Sequence, residues 1–138
     1  MIDQLSNLNW ISVLIAFVAY FLLGALWFTL FFSKQYKISL GRNANDVLPN
    51  KPIFIIGPAL CSLVITLASA VLIYALNIGS MGGALEFAML VGIGYLVANT
   101  VNIAINPNMP HPIHYGIISG AYHLLGIILV SVILVAMK

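Results

Sequence analysis

Four apolar runs, Leu8 to Phe32, Pro52 to Leu76, Ala84 to Asn106 and Ile113 to Met137, occupy most of the 138 residues. Each exceeds the roughly 20 residues that a helix needs to cross about 30 Å of hydrocarbon. In lipid every backbone N–H and C=O must be paired inside its own segment or in a closed barrel, and runs of this length satisfy that as helices. The expected fold is therefore all-α: a bundle of four transmembrane helices in one integral membrane domain covering residues 1–138. Only 6% of the residues are charged, against about a quarter in soluble domains, which leaves too little polar surface for a water-soluble body. The first run is too long for a signal-peptide core and lacks a preceding basic segment and a small-residue cleavage site, so it is expected to stay in the protein.

The segment from Ser33 to Lys51 is the one long polar stretch, with Lys34, Lys37, Arg42 and Lys51 against the single acid Asp46. By the positive-inside rule it faces the cytoplasm. Four spans then place both termini outside an inner (plasma) membrane. The same cations suit anionic headgroups, although topology alone accounts for them. A helical extension is expected around Lys34 to Leu40, and a kink at Pro58, which removes a backbone bond one turn into the second span. The proline-rich turn Asn106 to Pro112 joins spans three and four into a tight antiparallel hairpin. Cys61 is the lone cysteine, which excludes an internal disulfide and reads as a small buried apolar residue.

Within the third span, Tyr95, Asn99, Asn102 and Asn106 recur at helical spacing and share one face. An unpaired carboxamide in hydrocarbon costs several kcal/mol, so this face needs partners. The fourth span offers Ser119 and His123 on a side that also carries the small pair Gly116 and Gly120. Counted from the connecting turn, Asn99 and Ser119 both lie roughly 10 Å deep, and Tyr95 and His123 about 15 Å deep. These depths predict an Asn99 to Ser119 facing pair and a Tyr95 to His123 contact. Glu86 is expected to cap the positive end of the third helix, with a pathway mouth as the alternative. Trp10 and Trp27 are placed as interface anchors, one at each end of the first span. Ala16, Tyr20 and Gly24 give that span a mostly small packing face.

Asn9-Trp10, then Gly24-Ala25-Leu26-Trp27, then Ser33-Lys34 resemble the corresponding residues of domain-of-unknown-function family 1761, small bacterial membrane proteins. Phe28 and Tyr36 stand where that family usually has the second member of an aromatic pair and a further Trp. The resemblance implies four spans and a basic first loop, and it implies no activity.

Catalytic signatures such as CxxC, HExxH, GxSxG, a Walker loop or paired intramembrane carboxylates do not occur, so no enzyme is expected and no cofactor is implied. His111 and His114 lack a third ligand and read as interfacial residues, so no metal is expected. A basic cluster confined to one membrane-adjacent loop gives no support for nucleic acid. The polar face thus has two readings. It is interhelical glue in a structural, accessory or regulatory subunit, in contact with lipid and with a second copy or another membrane protein. Alternatively it lines the site of a small-molecule or proton-linked transporter, or ligand-binding protein, built as a homo-oligomer.

Overall fold

In the computed structural model, which describes residues 1–138, the chain is helical with no strand. A 3₁₀ turn at Ile2–Ser6 precedes α1 (Trp10–Phe31), α2 (Ser33–Ser39), α3 (Ile53–Ala75), α4 (Met81–Ala104) and α5 (Pro112–Ala136). Helices α1, α3, α4 and α5 are each long and apolar enough to span a membrane, and the molecule is a small multi-pass membrane protein.

The helix starts follow from local chemistry. Asn9 caps α1, its side-chain oxygen accepting from the backbone N–H groups of Ile11 and Ser12 at 3.1 and 3.3 Å. Ser80 caps α4 by accepting from Gly83 N–H at 3.1 Å, which begins that helix at Met81. Glu86 consequently falls in the second turn, and no acid occupies the first. The capping role expected of Glu86 therefore belongs to Ser80. Pro112 starts α5, where its missing N–H would have been unpaired anyway. In α3, the hydroxyls of Ser62, Thr66 and Ser69 donate to the carbonyls of Pro58, Ser62 and Ile65 at 2.5, 2.8 and 2.7 Å. These small polar groups are satisfied by their own helix. Cys61 beside them is exposed, contrary to its reading as a buried residue. In lipid an apolar thiol gains little from turning inward.

Helix α5 is the hub. Half (50%) of its apolar stretch is buried, against 28% for α1 and 22% for α3 and α4, and all three pack on it. Both termini and the α3–α4 turn meet at one end of the bundle. There Asn9 Nδ2 donates to Met137 O at 2.7 Å, Tyr74 OH accepts from Asn9 N–H at 3.2 Å, and Lys138 Nζ donates to Ile78 O at 3.1 Å. At the other end α2 folds back beneath the spans. Tyr36 packs on Phe28 and Tyr115, with ring centroids 4.7 and 6.0 Å away. Burial, and then the neighbouring Tyr115, holds the Tyr36 phenol above its ordinary range, so it stays neutral. Gly41, at φ +72°, takes the left-handed turn that brings the loop onto the α4–α5 connection, where a Cβ would come within 2.8 Å of Pro110.

Candidate functional site

Two seams on α5 hold the bundle together, and they differ in chemistry. The seam with α4 is apolar. Gly92 sits against Leu124 and Ile127, Val97 against Gly120, and Val101 against Gly116. The small pair on α5 forms a groove that takes the two branched valines.

The seam with α1 is aromatic and polar. Tyr20 is fully buried, and its hydroxyl is hydrogen-bonded to Nδ1 of His123 at 2.7 Å. Its ring lies 5.3 Å from that of Tyr122, which in turn packs edge-on to Phe28 at 5.2 Å. Two glycines make room. A Cβ on Gly126 would overlap the Tyr20 ring, and a Cβ on Gly24 would stand 2.8 Å from the Tyr122 hydroxyl oxygen. One turn further along, the indole of Trp27 is buried and donates to Ile118 O at 3.1 Å, with the Phe32 ring tilted against it at 4.4 Å. Trp27 is thus a buried hydrogen-bond donor that fastens α1 to α5. The last turn of α1, Trp27–Phe31, is a π turn, a feature that re-aims side chains and concentrates at functional positions. Trp10, at the other end of α1, is 55% exposed.

The residues expected to form one polar face are not brought together. Ser119 is buried on α5 with no partner for its hydroxyl, and His123 turns to α1. Tyr95 is 71% exposed, and Asn99 and Asn102 are also exposed. The expected Tyr95 to His123 and Asn99 to Ser119 pairs therefore do not form. The cause is that α4 presents Val97 and Val101 to α5, and residues two and five positions beyond Val97 lie on the far side of a helix. Asn106 closes its own turn instead, with Nδ2 donating to Ile103 O at 2.7 Å and Oδ1 accepting from Asn108 N–H at 2.8 Å. Glu86 is exposed, His111 is exposed and His114 half-buried. No three His, Cys, Asp or Glu residues gather anywhere in the chain.

The outward face of α4 is the feature left unexplained by the fold. Tyr95, Asn99 and Asn102 have no hydrogen-bond partner in the chain, unlike Thr100 beside them, which donates to Leu96 O at 2.7 Å. Tyr95 sits about 14 Å and Asn99 about 8 Å from the Ala104 end of a helix about 36 Å long, so both fall within about 30 Å of hydrocarbon. Asn102 comes level with its edge. Gly94 and Ala98, both exposed, flank them, and nothing lies within 4 Å of a Cβ placed on Gly94. A second π segment, Gly92–Val97, carries Tyr95.

Sequence reasoning missed Tyr20 as the polar partner of His123, Tyr122 as the aromatic packed beside it, and Asn9 as a three-helix clasp. The signal for Tyr20 was present: a bulky residue on an otherwise small face requires a glycine opposite it, and Gly126 supplies one.

Three spans packed around α5, joined to it by an apolar seam and a hydrogen-bonded aromatic seam and bearing an outward polar stripe, define a small polytopic membrane protein. The chain belongs to the family described as Protein of unknown function (DUF1761), which matches it over residues 11–135. Asn9, Gly24 and Trp27, among the residues on which the sequence resemblance rests, fasten α1 to α5 through contacts with Met137, Tyr122 and Ile118. No curated protein and no solved structure matches the chain.

Proposed function

We propose that this protein is a structural or accessory membrane subunit that works by assembly, with the outward face of α4 paired against the same face of a second copy. The observation that carries the reading is the set Tyr95, Asn99 and Asn102, which have no partner within the chain and lie in or at the edge of hydrocarbon. A carboxamide both donates and accepts, so an isologous pairing about a two-fold axis satisfies both sides at once. Gly94 and Ala98 allow the backbones to approach. The role is non-enzymatic, and its partners are lipid and the second copy. Such a subunit sits in a bacterial inner membrane, with the basic segment in the cytoplasm and both ends outside, as the four cations there favour.

The assembly is tested by energy transfer between labelled copies in lipid vesicles. The wild type is expected to associate, and Asn99→Leu to weaken association about tenfold, consistent with roughly 1–2 kcal/mol for an interhelical amide bond. A wild type that stays monomeric across lipid dilutions would sink the reading. Orientation is tested separately by a reporter fused after Lys138, where cytoplasmic activity would reverse it.

A further inference from the structure

Where α1 leaves the hydrocarbon, the chain forms a cleft of about 690 Å³ whose wall turns from apolar to cationic within two turns. Leu30 and Phe31 supply the apolar side and are 66% and 59% exposed. Lys34 and Lys37 of α2, with Gln35 and Asn45, supply the polar side. The lysines are not on a loose tail, because α2 is fixed by Tyr36 packing on Phe28 and Tyr115. Lys37 Nζ also donates to Ala44 O at 3.4 Å, which holds the loop as the opposite wall. Neither lysine has a carboxylate partner. The ion pair in the chain joins the Met1 ammonium to Asp3, and the Asp46 carboxylate accepts from Asn43 N–H at 2.9 Å.

We propose that this cleft binds an anionic phospholipid, with the phosphate between Lys34 and Lys37 and the acyl chains running along Leu30 and Phe31. Two ammonium groups would attract any phosphate, and the apolar wall beside them is what selects a lipid over a soluble one. If the lysines served topology alone, only net charge would count, and Arg42 and Lys51 would be equivalent to them.

That difference defines the experiment. The full chain, stripped of lipid in detergent, is titrated with phosphatidylglycerol and the bound lipid counted by native mass spectrometry. Lys34→Gln with Lys37→Gln is expected to weaken binding about thirtyfold, about fivefold for each lysine. Arg42→Gln with Lys51→Gln removes the same charge and is expected to leave binding nearly unchanged. Phosphatidylcholine and inorganic phosphate are expected to bind far more weakly than phosphatidylglycerol. Equal losses in the two double variants would reduce the effect to net charge and overturn the site. Inorganic phosphate binding as tightly as the lipid, or phosphatidylcholine binding as tightly as phosphatidylglycerol, would overturn the assignment of its ligand.

Discussion

The two seams on α5 solve the same packing problem with opposite chemistry. On the α4 side, Gly116 and Gly120 accept Val101 and Val97, and only dispersion holds the contact. On the α1 side, Gly126 accepts the Tyr20 ring and Gly24 the end of Tyr122, and hydrogen bonds at His123 and Ile118 fix the arrangement. Polar groups in a lipid-embedded bundle do not simply seek one another. The asparagines of α4 were available to α5, yet the close fit of valine on glycine took that face and left the amides outside. In hydrocarbon there is no gain from hiding apolar side chains, so tight packing decides which faces meet.

The largest effects are expected at the glycines. Gly126→Ala forces its Cβ into a ring that is fully buried and tied to His123, so the ring has nowhere to move. We expect a loss of about 3 kcal/mol, the upper part of the usual range for overpacking. Gly120→Ala places its Cβ 3.3 Å from a methyl of the half-buried Val97, which can yield by a few tenths of an ångström. A loss below about 1 kcal/mol is expected there. Unfolding of each variant in mixed micelles measures both values, and equal losses would show that the two seams are equally rigid.

Trp27→Phe comes next. Read from sequence as an interface anchor, Trp27 would tolerate the change; as a buried donor to Ile118 O it would not. The expected cost is about 1–2 kcal/mol from the lost bond and the smaller ring. A neutral result in the same unfolding assay would return Trp27 to the interface.

Helix number, helix type and most boundaries were legible because they depend on hydropathy and caps, both local. The small faces of the first and fourth spans were legible as packing surfaces for the same reason. The partners of those faces were not. Tyr95, Asn99 and Asn102 at helical spacing fix a shared side of α4, but nothing in the spacing says whether that side points to α5 or away, and the π segment at Gly92–Val97 alters the turn on which Tyr95 sits. The aromatic and basic neighbours of Trp27 point to an interfacial belt, and nothing in them reveals a hydrogen bond to the backbone of α5. The bond to Ile118 O and the Phe32 ring tilted against the indole at 4.4 Å show that it is covered.

The smallest effect belongs to the hydrogen bond that distinguishes the seams most clearly. Tyr20→Phe keeps the ring in its slot beside Gly126 and removes only the hydroxyl that meets His123 Nδ1 at 2.7 Å. Interhelical hydrogen bonds in membranes contribute about 0.6 kcal/mol on average and up to about 1.7, because the separated helices also find partners. A double-mutant cycle of Tyr20→Phe with His123→Leu isolates that term from packing. We expect a coupling near 0.6 kcal/mol, so that the α1 seam owes its rigidity chiefly to the fit of Tyr20 against Gly126. A coupling near zero would mean the bond contributes nothing to holding the helices. One well above about 1.7 kcal/mol would make the Tyr20 and His123 pair the principal lock of the bundle, and the contrast with the valine seam would then be one of polarity before shape.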